Sequence, residues 1–242
     1  TLDTHDAFYK AEREYYDEVG PKVDSILTGC AGLMLKTPFR SELAGRLPER
    51  IYPLYELAEK SFSDEIIGES QLENAIVTEY SGLMASITTE WRGEKKTISH
   101  IRGFLDDKDR EVRRAAANAI GRALECHSEQ LDDIFDRLVR VRTKMAKKLG
   151  YRDFVELGYY RMSRIDYDRD MVARFRENVR KDIVPLVCRL KKEISAYIGA
   201  DEFSFFDDGV VGLPEIPRPF LDSDGIMREA LAMFRDMSDL TG

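Results

Sequence analysis

Histidine and cysteine are scarce in this 242-residue chain, with three of each. Cys30, Cys126 and Cys188 are odd in number and far apart, and they form no C-x-x-C pair. That argues against a disulfide scaffold or a cysteine-zinc site and for a reducing compartment. The histidines are His5, His100 and His127, and none opens an H-E-x-x-H, the helical spacing that turns two imidazoles onto one metal. None follows a glutamate by three residues, as a di-iron bundle requires. His127-Ser128-Glu129 has the H-x-E of zinc deaminases without the P-C-x-x-C that must accompany it. Phosphate cradles and a nucleophile elbow are excluded too, because no G-x-x-x-x-G-K-[ST], G-x-G-x-x-G or G-x-S-x-G occurs. The longest uncharged stretch, Ser25 to Leu35, is shorter than the roughly 20 apolar residues that span a bilayer. The first residues have neither the basic start nor the apolar run of a signal peptide. They also lack an initiator Met, so the chain is expected to begin inside a longer one.

What is present describes a folded, acidic, helical protein. Hydrophobic residues make up 43% and charged residues 34%, too apolar for a disordered chain. The 37 Lys+Arg against 45 Asp+Glu leave a net charge of -8, which argues against nucleic acid as a partner. The length falls between one domain and two at about 150 residues each. Apolar residues recur at helical spacing almost throughout. One stripe is Phe8, Ala11, Tyr15 and Val19, expected to stop at Gly20-Pro21. Leu72, Ile76, Tyr80, Leu83 and Ile87 form another, and Val112, Ala115, Ala119, Ile120 and Ala123 an Ala-rich third. After Ser128, read as an N-cap, come Leu131, Phe135, Leu138, Val141, Met145 and Leu149, ended by Gly150. The longest stripe runs from Val172 to Tyr197, with Pro185 inside it expected to kink or interrupt the helix. A short helix from Ile226 to Met237 closes the chain, after a Pro-rich loop over Gly209 to Pro219. Only Thr88 to Ile98 reads as strand, a small hairpin around the turn Arg92-Gly93-Glu94. The fold class is all-α, a multi-helix array with one β-hairpin.

Three segments carry candidate chemistry. Asp132-Asp133-Ile134-Phe135-Asp136 has the D-D-x-x-D spacing that holds hard cations in isoprenoid synthases. No second acidic motif accompanies it, and acidic residues early in a helix also complement its dipole. Leu105 to Ala116 looks like one helix of a HEAT repeat, which would make the chain a protein-interaction scaffold, but it does not recur at about 40 residues. The third is the cluster Tyr159, Tyr160, Arg161, Arg164 and Tyr167. Aromatic rings beside guanidinium groups hold a peptide by stacking and bidentate hydrogen bonds, or form an Arg–Asp network at the edge of a core.

Taken in order along the chain, several blocks resemble zinc metallopeptidases of the oligoendopeptidase F type, relatives of thimet oligopeptidase. The matching pieces are Phe8-Tyr9 to Asp17-Glu18-Val19-Gly20-Pro21, Phe62-Ser63-Asp64-Glu65-Ile66-Ile67 with Gln71-Leu72-Glu73-Asn74, and Glu79-Tyr80 with Leu83-Met84-Ala85-Ser86. The hairpin, Asp109-Arg110-Glu111-Val112-Arg113, and Lys148-Leu149-Gly150-Tyr151-Arg152-Asp153-Phe154 come next. Gly158-Tyr159-Tyr160-Arg161-Met162, Asp166-Tyr167 and Ile183-Val184-Pro185-Leu186 continue the order. The resemblance implies a two-lobed, mostly helical, cytoplasmic enzyme whose deep channel admits short peptides. In such enzymes H-E-x-x-H and a later Glu bind zinc, and every one of those residues would lie beyond Gly242. The expectation is therefore an amino-terminal lobe over residues 1–150 and the start of the peptidase body over 151–242. This piece would supply fold and channel wall, without Zn2+ or catalysis of its own. It would pair with a C-terminal catalytic part, and apolar surface left exposed would favour self-association.

Overall fold

The computed structural model describes residues 6–209 and 219–237. Helix α1 (Ala7–Lys36) is followed by α2 (Arg40–Ala44), α3 (Ile51–Ser61), a 3₁₀ turn at Asp64–Ile66, and α4 (Ile67–Ser86). The hairpin β1 (Thr88–Trp91) and β2 (Glu94–Thr97) then leads into α5 (Ile98–Arg102), α6 (Arg110–Glu125) and α7 (Ser128–Lys148). After α8 (Phe154–Arg161) come α9 (Arg169–Asn178), a π-helical turn at Val179–Ile183, α10 (Val184–Tyr197), a 3₁₀ turn at Phe205–Asp207, and α11 (Ser223–Met237). The all-α reading with one hairpin holds. Most of the loop read over Gly209 to Pro219 lies outside the described residues.

The α1 helix corrects the expected stop at Gly20-Pro21, because it runs straight through that pair. A proline in a helix interior costs about 3 kcal/mol, since it has no N–H for the carbonyl four residues back and its ring crowds that carbonyl. Here α4 supplies the substitute donors. Asn74 Nδ2 donates to the Asp17 carbonyl, the one Pro21 leaves without its helical partner, at 3.2 Å. One turn earlier on α4, Gln71 Nε2 donates to the Glu18 carbonyl at 2.8 Å. A local sequence signal for a helix end is thus overridden by a neighbouring helix.

The hairpin turn is one residue tighter than expected. Trp91 pairs with Glu94, so Arg92 and Gly93 alone form the turn, and Ile98 already belongs to α5. Both turn residues have positive φ, 54° and 84°, the signature of a type I′ turn whose twist matches the strands. Trp91 then packs into a cluster with Ile101, Ala116 and Ala119. Of the Ala-rich stripe on α6, Ala119 and Ala123 are buried and Val112 and Ile120 half-buried, while Ala115 is exposed. The α7 stripe is a residue off in one place: Ile134 is buried and Phe135 is 66% exposed. At its start Ser128 is already helical, with His127 in the capping position and no side-chain cap bond. At its end Gly150, φ +83°, takes the left-handed position that lets the Tyr151 amide reach the Ala146 carbonyl at 2.9 Å.

Helix α4 lies between α1 on one side and α7 on the other, and α8 packs on α3 and α7. Ile66, Met145, Ala146 and Leu157 make one core cluster, which joins residues on both sides of position 150. The stripe read on α4 is half right. Ile76 is buried, but Leu72 and Tyr80 are exposed, while Glu69, Ser70 and Glu73 are buried in their place.

Pro185 does interrupt its helix. It stands in the first turn of α10, and the chain reaches it through the π turn. The run from α9 to α10 buries only Ser195 and leaves Phe175, Ile183, Leu186 and Leu190 exposed. The segment after α10 is clasped to the start of α6. Asp207, fully buried, accepts from Arg113 Nη2 at 2.8 Å and Arg110 Nη2 at 2.9 Å, and its Oδ2 accepts the Ser204 amide at 3.0 Å. Burial pushes this carboxyl up, but the bonds from Arg110 and Arg113 outweigh it and hold it below the usual carboxylate range.

Candidate functional site

The residues singled out for peptide contact lie on α8 and the turn after it. Asp153 caps α8 by accepting from the Val155 amide at 3.0 Å. Leu157 is fully buried, so the side chain one turn later, Arg161, faces α4 as well. There Arg161 Nη2 donates to Glu73 Oε2 at 2.7 Å, and Arg142 Nε of α7 donates to Glu73 Oε1 at 2.6 Å. Both guanidiniums lie over the Phe154 ring, at 5.5 Å for Arg142 and 5.7 Å for Arg161. One turn back on α4, Glu69 takes Lys144 Nζ at 2.9 Å and Lys148 Nζ at 2.8 Å. Burial works to raise both carboxyls, yet the hydrogen-bonded cations hold each below its ordinary value. Two buried glutamates with four cations therefore join α4 to α7 and α8.

The other candidates part company from Arg161. Ser163 has φ +54° at the end of α8, and that turn lets the Arg164 amide reach back to the Tyr159 carbonyl at 3.4 Å. The Arg164 guanidinium then lies against the Tyr159 ring at 4.5 Å and the Tyr167 ring at 5.3 Å. Tyr167 and Arg161 are exposed residues, while Tyr159, Tyr160 and Arg164 are half-buried. Tyr160 turns elsewhere: its hydroxyl donates to Glu156 Oε1 at 3.0 Å, its ring meets Tyr151 at 5.6 Å, and Lys60 Nζ lies 5.5 Å from it. The Glu156 carboxylate and partial burial raise the Tyr160 hydroxyl above its usual range. The five residues thus fall into an Arg164 stack between two tyrosines, a Tyr160–Tyr151 pair, and an Arg161 ion pair. Asp166, which an Arg–Asp network would engage, pairs with Arg50 at 3.4 Å.

Sequence reasoning missed Glu73, Arg142 and Phe154. The available signal was Glu69 and Glu73, four residues apart between Ile66 and Ile76, where a buried helix face carries carboxylates only if cations meet them. The D-D-x-x-D segment lies on α7 with its charges matched locally: Asp133 pairs with Arg137 at 2.8 Å and Asp136 with Arg140 at 3.3 Å. Among the described residues no three His, Cys, Asp or Glu side chains converge as metal ligands, so these residues do not fit a zinc ion. No described helix is long and apolar enough to cross a membrane.

The profile of the Peptidase M3 N-terminal domain matches residues 1–62. No protein of curated function matches the sequence. Among solved structures, one described as oligoendopeptidase F from Bacillus anthracis str. Ames is 38% identical, with a TM-score of 0.86 over 99% of this chain and 44% of its own. PZ peptidase A, solved with an inhibitor, is 37% identical, with a TM-score of 0.88 over 99% of this chain and 43% of its own. A further structure described as oligoendopeptidase F is 34% identical at a TM-score of 0.88, with 42% of its chain covered. The chain spans less than half the length of each of these proteins. Over that span it is similar, in sequence and in fold, to the amino-terminal part of oligoendopeptidase F.

Proposed function

We propose that this chain is the amino-terminal portion of a cytoplasmic zinc oligopeptidase, contributing fold and part of the wall of a channel for short peptides. The observation that carries this reading is likeness over 99% of the chain, at 38% identity, to a protein of more than twice its length. The exposed apolar faces of α1 and of the α9–α10 run support it, because large contiguous apolar surface in a folded protein marks an interface. In this reading residues 1–150 form a lobe and residues 151–242 open the peptidase body, with α8 packing Leu157 into the lobe's core. Zinc would supply a polarised water for attack on the peptide bond, held by residues of the downstream polypeptide rather than by any described here. Tyr159, Tyr160, Arg161, Arg164 and Tyr167 are the proposed contacts to peptide, by ring stacking and guanidinium–carboxylate bonds. The exposed faces would draw two copies together in the absence of the catalytic part.

The test compares the purified 242-residue chain with a polypeptide extended downstream through the next H-E-x-x-H. The chain alone is expected to hold no stoichiometric zinc and to leave a fluorogenic peptide intact, and the extended form to cleave it in a chelator-sensitive way. One zinc per short chain, or hydrolysis by it, overturns the division of labour. An extended gene without H-E-x-x-H overturns the peptidase reading.

A further inference from the structure

Beside the Glu73 ion pair, α1, α3 and α4 enclose a cleft of about 570 Å3. That lies within the roughly 300–1,000 Å3 of small-molecule sites. Leu27, Met34, Phe62 and Ile66 give it apolar walls, and two charged side chains, Asp24 and Arg161, also line it. Arg161 uses one Nη2 on Glu73, and its remaining donors have no hydrogen-bond partner among the described residues. Glu73 is already matched by Arg142, so the trio carries one positive charge in excess. The Asp24 carboxylate, exposed on α1, has no hydrogen-bond or ion-pair partner among the described residues. An apolar cleft bordered by one unspent cation and one unspent anion is complementary to a ligand that carries both charges around an apolar body.

We propose that this cleft binds a short zwitterionic peptide of apolar residues, its carboxylate on Arg161, its ammonium on Asp24, and its side chains against Leu27, Met34 and Phe62. The choice of a peptide over other zwitterions rests on the peptidase reading above.

Cys30 lines the same cleft and is exposed, so it reports occupancy. The test uses the 242-residue chain carrying Cys126→Ser and Cys188→Ser, and follows alkylation of Cys30 by iodoacetamide. The probes are leucyl-leucine, its N-acetylated amide, and octanoate. Leucyl-leucine is expected to slow alkylation saturably, octanoate to need concentrations about tenfold higher, the effect of losing one charge-assisted contact, and the capped peptide, which loses both, about a hundredfold higher. Asp24→Asn and Arg161→Met are each expected to weaken protection by leucyl-leucine about tenfold. Asp24 is exposed, so that variant keeps the fold even if removal of Arg161 disturbs Glu73. No protection, equal protection by the capped peptide or by octanoate, or an unchanged Asp24→Asn variant overturns the proposal. None of these results touches hydrolysis by the extended polypeptide, so the two readings fail separately.

Discussion

Replacing Asp207 by Ala removes the one carboxylate that Arg110 and Arg113 share. Arg113 is the decisive partner, because its side chain is only 2% exposed and cannot turn to water when its counter-ion goes. It keeps neutral acceptors, the Asp107 carbonyl at 2.8 Å, the Lys108 carbonyl at 3.2 Å and the Phe206 carbonyl at 3.2 Å, but no negative charge among them. Breaking a buried pair from one side costs about 3–5 kcal/mol, and the remaining carbonyls place this case near the lower end. The Ser204 amide loses its acceptor as well. Segment 200–209 otherwise keeps neutral bonds, from Ser195 to the Ala200 carbonyl at 2.9 Å, Arg110 to the Glu202 carbonyl at 3.0 Å and Arg113 to the Phe206 carbonyl, and the exposed Lys191–Asp208 pair, each weaker than the buried ion pair. The loss is therefore expected first as local release: amide exchange at Ser204 and Asp208 accelerated about a hundredfold, the equivalent of roughly 3 kcal/mol. Hydrogen-exchange mass spectrometry on peptides covering 200–209, against the α4–α7 core as internal reference, measures it. The pH dependence gives a second readout. A carboxyl held below its unfolded value contributes stability that is fully present above that value and is lost as pH falls through the folded one. The native clasp should open on acidification below the ordinary carboxylate range, and Asp207→Asn should flatten that dependence. Unchanged exchange at Ser204 in Asp207→Ala would refute the reasoning.

Two further perturbations probe the tertiary overrides of local sequence. Asn74→Ala leaves the Asp17 carbonyl without its donor and is expected to cost about 1–2 kcal/mol in urea unfolding. Adding Pro21→Ala, which restores a helical N–H, should recover most of that loss, and strictly additive effects would sink this account of the Gly20-Pro21 pair. In the hairpin, Gly93→Ala forces a Cβ into φ +84° and is expected to destabilise by about 1 kcal/mol, whereas Arg92→Gly, at φ 54°, should stabilise slightly or be neutral. A loss of stability on Arg92→Gly would instead identify the Arg92 stacking on Trp91 and Phe104 as the larger effect.

Residue types and spacing were enough for the helical class, the hairpin, the Gly150 stop and the interruption at Pro185. Each of these is decided within a few residues: an apolar period, a glycine free to take positive φ, a proline without N–H. The ordered blocks were enough for the family likeness. Three things were decided only by what came to lie alongside. The α1 helix passes Pro21 because Gln71 and Asn74, more than fifty residues away in sequence, donate to its carbonyls. The inward face of α4 carries Glu69 and Glu73 because Lys144, Lys148, Arg142 and Arg161 converge on them from α7 and α8. The Tyr159-to-Tyr167 cluster read as one site divides into three, because Leu157 turns Arg161 inward while Ser163 turns Arg164 back onto two rings. Burying a charge or a proline is unfavourable for the segment that carries it, so a local reading places both at boundaries or surfaces. Partners supplied by another helix remove that cost, and no window of neighbouring residues contains them.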